Sequence, residues 1–192
     1  MSKSAWKSTF TVGFLALMMS VPALGASINK SIKIAAGEES SGATSVNGSI
    51  TVGPDATVTG KLKTVNGSIR IDDRASIEGA ATVNGGLRLA DNVRAESLTT
   101  VNGSINVGDD GEISGEVGAV NGRISLNRGT RVSDDVGNVN GQIGVAGAEV
   151  GGNITTVNGD IELSDGAVVK GDVVVEKPSS WSWGKEKSRK PR

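Results

Sequence analysis

Val65-Asn66-Gly67-Ser68-Ile69-Arg70-Ile71 decides how this chain folds, because it is the clearest copy of a unit that recurs along the sequence. Val-Asn-Gly returns with its Asn at Asn47, Asn66, Asn84, Asn102, Asn121, Asn140 and Asn158, in steps of 19, 18, 18, 19, 19 and 18 residues. Asn29 stands 18 residues before Asn47, within Ile28-Asn29-Lys30-Ser31-Ile32-Lys33-Ile34, a diverged first copy. A fixed period of this size marks an array of stacked units.

Counted from Asn as zero, aliphatic residues stand at −1, +3 and +5, as in Val46, Ile50 and Val52, or Val157, Ile161 and Leu163. Small or aliphatic residues follow at +9 and +11 (Ala56 and Val58, Ala167 and Val169) and again near +15 (Leu62, Val117, Val136, Val173). Gly is common at +13, as at Gly60, Gly79, Gly115 and Gly171. Apolar partners two apart are strand alternation, and the spacing of three and four that a helix needs is missing. The apolar pairs repeat every six residues, which gives three short strands per turn.

The predicted fold is therefore all-β: a single three-sided β-solenoid, or parallel β-helix, of about eight coils of 18–19 residues. One coil has too few small aliphatic side chains to offset the entropy of ordering itself, so coils must stack to fold. Eight coils at about 4.8 Å each make a rod of roughly 38 Å. Two coils depart from the pattern. Ala95 and Ser97 stand where a larger aliphatic residue and Gly are expected, which reads as a slipped register. Glu38 and Ser40 occupy inward positions of the first coil, which is expected to fray or to act as a polar cap.

Residues 1–25 read as a secretory signal peptide. Lys3 and Lys7 form a positive start, Phe10 to Met19 is a mostly apolar run of ten residues, and small residues Ala23, Gly25 and Ala26 follow. The run is shorter than the roughly 18 to 20 residues of a spanning helix. The repeat domain then covers 26–177, and residues 178–192 form a basic tail carrying Trp181 and Trp183. There is no cysteine, so the fold has no disulfides to lean on.

Past residue 25 the chain has no Met, Phe, Tyr, His or Cys, and its only aromatics are Trp181 and Trp183. A core of Val, Ile, Leu and Ala alone suits a thin layered interior better than a rounded one. Charge is segregated. All 21 acidic residues lie past residue 25 against 18 of the 20 basic ones, a net of −3. Residues 177–192 hold six Lys and Arg against Glu186, or +5, which leaves the body near −8. An acidic body with a short basic tail is not a nucleic-acid-binding surface.

The recurring Asn-Gly is a structural element by its chemistry. Both residues tolerate positive φ, and Asn bonds readily to nearby backbone. Asn47, Asn66, Asn84, Asn102, Asn121, Asn140 and Asn158 at one corner are expected to stack as an amide ladder along the rod.

Val-Asn-Gly-x-Ile, as in Val46 to Ile50, Val65 to Ile69 and Val101 to Ile105, resembles the bacterial adhesin-type Val-Asn-Gly repeat family of envelope proteins. That resemblance implies a right-handed β-solenoid and covers nearly all of residues 28 to 175. The short period and aliphatic core are also similar to bactofilins, polymer-forming proteins that assemble end to end. The signal peptide departs from cytoplasmic bactofilins. Neither family supplies a catalytic residue.

Other chemistry finds little footing. Hexapeptide acyltransferases depend on a histidine base, and this chain has no His. Polysaccharide-cleaving β-helices need clustered carboxylates with Arg or Lys and long loops around a groove, whereas every loop here is a few residues long. One acidic column exists: Asp55, Asp73, Asp91, Asp109 and Asp165 at +7 or +8, thickened by Asp72 and Asp110. Stacked carboxylates are a candidate Ca²⁺ site, but Asp is an ordinary turn residue and the column lapses at Asn127-Arg128 and Gly147. Thr64, Thr82, Thr100 and Thr156 form a column too broken, at Ala119 and Asn138, for an ice-binding face.

The expectation is an exported, non-enzymatic structural or adhesin-like β-solenoid in the periplasm, on the cell surface or secreted, with no cofactor. Its expected partners are a second copy end to end or an envelope polymer, with membrane contact only through the tail, where Trp181 and Trp183 either cap the last coil or touch a partner. The alternatives are a bactofilin-like self-assembling scaffold and a carbohydrate-active β-helix enzyme.

Overall fold

The computed structural model describes residues 29–176; the signal peptide and the Trp181 and Trp183 tail lie outside the described residues. The described chain winds into about eight stacked coils, each about 18 residues from the next, with every strand pairing parallel. It contains no helix, and so none long and apolar enough to cross a membrane.

Each coil contributes three extended segments. The first segments build one eight-stranded sheet, from Ile32–Ile34 through Ile50–Val52 to Ile161–Ser164. Second and third segments form the other sheet. They are continuous strands in three coils, Thr57–Asn66, Ser76–Asn84 and Arg94–Asn102, and separate in the later ones, as in Glu112–Ile113 and Val117–Asn121. The +3 and +5 residues face inward and stack on their own kind, Ile105 on Ile124 and Val107 on Leu126, all fully buried.

Differences in coil length are absorbed at corners. Val58 pairs with Ile77, yet Lys61 pairs with Gly79, so the extra residue of the coil starting at Asn47 is taken up by a bulge inside the Thr57–Asn66 strand, where its second segment bends into its third. Confining the length change to that bend preserves the phase of the inward side chains on either side. The same rule removes the slip expected in the coil starting at Asn84. Ala95 pairs in register with Ile77 and Ile113, and Ser97 with Gly79. Its side chains are smaller than its neighbours', but the register holds.

The first coil is polar as expected, in a particular way. Glu38 is exposed at the open end of the rod, and its carboxylate accepts a hydrogen bond from the Ala35 N–H at 2.6 Å. The Ser40 hydroxyl bonds both the N–H and the carbonyl of Gly42. The last coil is bare: Leu163, Val173 and Val175 are 43–46% exposed, whereas Val145, Ile154 and Thr156, on which they stack one coil below, are buried.

Candidate functional site

The Asn-Gly corner is the most regular place on the molecule. Each Asn side chain donates Nδ2–H to the Oδ1 of the Asn one coil earlier, from Asn47 on Asn29 through Asn66, Asn84, Asn102, Asn121 and Asn140 to Asn158. The distances run from 2.5 to 2.9 Å, and all eight side chains are exposed. Each interior amide both donates and accepts, so one unbroken chain of hydrogen bonds runs the length of the rod.

The glycine beside it is required by crowding more than by φ. Only Gly122 and Gly141 among the corner glycines have positive φ, at 154° and 146°, and only Asn29 among the ladder residues does. A Cβ at Gly67, Gly85, Gly103, Gly122, Gly141 or Gly159 would overlap the carbonyl oxygen of the glycine one coil earlier. That neighbour is backbone and cannot swing aside. Positive φ recurs instead at the first corner, at Asp55, Arg74, Asn92, Asp110 and Asp165, with Gly129 and Gly147 completing the column.

A second element of the corner differs from the sequence expectation. The residues two before Asn point inward: Thr64, Thr82, Thr100 and Thr156 are 0–3% exposed, as are Ser45 and Asn138. Thr64, Thr82 and Thr100 donate to the carbonyls of Gly48, Gly67 and Gly85 at 2.9–3.0 Å, and Ser45 to that of Lys30 at 2.9 Å. Asn138 donates to the Gly122 carbonyl at 2.6 Å, and Thr156 lies 3.5 Å from that of Gly141. These side chains brace the corner from inside; they are not a surface rank of threonines. Ala119, fully buried in the same column, offers no such donor to Gly103.

With −2 turned inward, the Val at −1 turns outward. Val46, Val83, Val101, Val120, Val139 and Val157 are half-buried and Val65 is 36% exposed, so this column belongs to the rod's wall and not to its core.

The acidic corner resolves into turn contacts. Asp55 takes two hydrogen bonds from Arg74, at 2.7 and 2.8 Å, and the Arg74 side chain holds its carboxyl below the usual range. Asp73 accepts the Asp91 N–H at 3.2 Å, and Asp91 accepts the Asp109 N–H at 2.8 Å. Asp165 sits at a positive-φ turn. Asp72 pairs with Arg70 at 2.9 Å. Among the described residues no group of three or more His, Cys, Asp or Glu is placed to hold a metal ion. Along the candidate Ca²⁺ column, Asp55, Asp73 and Asp91 each accept a hydrogen bond from the next coil.

Charges also alternate up the outer wall of the second segments. Arg94 pairs with Glu112 at 2.8 Å, Arg131 with Glu149 at 3.8 Å, and Lys170 with Glu149 at 2.5 Å; Arg94, Glu112 and Arg131 also line an open groove of about 440 Å³ together with Ser76, Ser114 and Ser133. Hydrogen bonding and charge from Lys170, then the charge of Arg131, hold the Glu149 carboxyl down. One group goes the other way. Burial, then the charges of Asp134 and Asp135, pushes the Glu116 carboxyl up.

Comparison with protein-family models, with curated proteins and with solved structures finds no match to this chain.

Proposed function

We propose that the chain is an exported, non-enzymatic β-solenoid with a structural or adhesive role in a bacterial cell envelope. The observation that carries this is where sequence regularity falls. Asn at zero and Gly at +1 recur coil after coil, a hydrogen-bonding residue stands at −2 in all these coils but the one with Ala119, and each makes its contact with the neighbouring coil. Such contacts hold one wall of the rod together, while outward strand positions such as +4 and +10 vary from coil to coil. The signal-like first 25 residues and the Val-Asn-Gly-x-Ile likeness to adhesin-type envelope repeats point the same way.

Cell fractionation with N-terminal sequencing tests export: the expected mature chain starts near Ala26. Binding of the full chain to whole cells and isolated envelope polymers tests adhesion. An uncleaved cytoplasmic chain would overturn export. Turnover of an envelope glycan, lost in Asp73 and Asp91 variants, would replace adhesion with a carbohydrate-active enzyme. A self-assembling scaffold is the alternative, favoured by the bare apolar end of the last coil.

A further inference from the structure

The two ends of the rod are unlike. At the first end Glu38 is exposed and Ser40 closes a turn. At the last, every inward position is apolar: Ile161, Leu163, Ala167, Val169, Val173 and Val175. Even the bracing column ends in Val175, in register with Thr156. An aliphatic face of this kind, backed by unpaired strand edges, needs a cover.

We propose that residues 177–192 of the same chain supply it, with Trp181 and Trp183 laid across the open coil. The chain leaves the last coil at Glu176, whose N–H bonds the Thr156 carbonyl at 2.7 Å, so the tail starts at the rim of the bare face. It cannot wind a ninth coil. Counting on from Asn158, Lys177 takes the Asn position and Pro178 the corner where only Gly stacks, because a Cβ there meets the backbone of the coil below.

Its composition matches the face. Trp181 and Trp183 are two apart, so an extended chain presents both on one side. At about 3.3 Å per residue they reach roughly 16 and 23 Å beyond Glu176, enough to cross a side of the coil. The last coil carries Asp160, Glu162, Asp165, Asp172 and Glu176 against Lys170, while residues 177–192 carry a net of +5. Other occupants fit less well. A second copy stacked head to tail in register puts Glu38 over Ala167 and Ser40 over Val169, burying a carboxylate on aliphatic surface. Two copies joined by their last coils oppose two acidic rims.

The tryptophans make the test direct. In the full chain carrying Trp6→Phe, only Trp181 and Trp183 emit. Expected are a blue-shifted emission and resistance to acrylamide that do not change with protein concentration and are lost on Val173→Asp. Because Val173→Asp can also loosen the last coil, Trp181→Ser/Trp183→Ser is the second arm. It leaves the rod untouched and should increase both dye binding to apolar surface and self-association in sedimentation. Solvent-like, fully quenchable emission in the Trp6→Phe chain would overturn the proposal. So would protection that grows with protein concentration, the mark of a second copy, or protection that appears only with anionic vesicles or an acidic polymer, the mark of an external partner.

Discussion

Replacing Asn138 by Thr should make the protein more stable, and the structure says why. Asn138 is 1% exposed, between Ala119 and Thr156 in the bracing column. Its Nδ2 bonds the Gly122 carbonyl at 2.6 Å, but its Oδ1 is buried with no partner. An unsatisfied buried acceptor costs about 1–3 kcal/mol. A threonine hydroxyl keeps the useful bond, as at Thr64, Thr82 and Thr100, which reach their glycine carbonyls at 2.9–3.0 Å. It drops the orphan and adds a β-branched residue to a strand. Against this stands a small loss of packing beside Ala119, on the order of 1 kcal/mol. The net is a gain of about 1–2 kcal/mol, or a rise in Tm of about 2–8 °C for a chain of this size.

The assay is urea and thermal unfolding of the full chain followed by far-UV circular dichroism. Hydrogen exchange at the two neighbouring coils serves as a local readout, because a stacked array need not unfold as one unit. Thr100→Val is the control. It keeps the shape and deletes the donor to Gly85, and should lose about 1–3 kcal/mol. If Thr100→Val behaves so while Asn138→Thr gains nothing, the reasoning fails: Oδ1 is then satisfied, by a water held in the space that Ala119 leaves.

Three further outcomes concern the Asn-Gly corner and Glu116. Gly103→Ala drives a Cβ into the Gly85 carbonyl, so it should cost roughly 1–3 kcal/mol or more in the same unfolding assay. Asn102→Ala removes two ladder bonds, to Asn84 and from Asn121, and should cost about 1–2 kcal/mol, with faster exchange on both sides of the gap. Glu116→Gln should stabilise at neutral pH. The folded state holds the Glu116 proton to higher pH than the unfolded chain, so stability falls as pH climbs from the ordinary value of 4.5 through the raised one. The advantage of the variant in urea should therefore vanish below about pH 4, and an advantage independent of pH would refute the cause.

The rod was legible in the sequence because period-2 alternation at +3, +5, +9 and +11 survives intact in the fold. Ile50, Val52, Ala56 and Val58 are all buried where that spacing puts them. What the spacing could not give was phase across a corner. Carrying the odd positions back through Asn-Gly places Val65 inside and Thr64 outside, and the structure has them reversed. The tight Asn-Gly corner shifts the alternation by one residue, and nothing in Val65 or Thr64 alone announces that. The clue lay in the corner itself, where a hydroxyl two residues before the Asn meets the carbonyl of the corner glycine one coil earlier. In the acidic column, too, near-equal spacing does not mean equal contacts. Asp55 and Asp73 stand at nearly equal offsets, yet one occupies a positive-φ turn and pairs with Arg74 while the other accepts a backbone N–H.

A residue that is identical in every coil of a solenoid is one whose partner is its own copy. Asn102 must be Asn because Asn84 and Asn121 are, and Gly103 must be Gly because Gly85 lies against it. Core positions face no such demand. They need only fill volume, and so Ile77, Ala95 and Ile113 can follow one another in a single column. Strict repetition in such a chain therefore marks self-contact, and a binding function has to be sought where the repeat breaks. On this molecule the breaks are the exposed Glu38 of the first coil, the Asn138 and Ala119 defect in the brace, and the bare aliphatic end from Ile161 to Val175. Only the last of these offers apolar surface to an occupant, and the sixteen residues beyond it, with their two tryptophans and basic charge, match it in both respects.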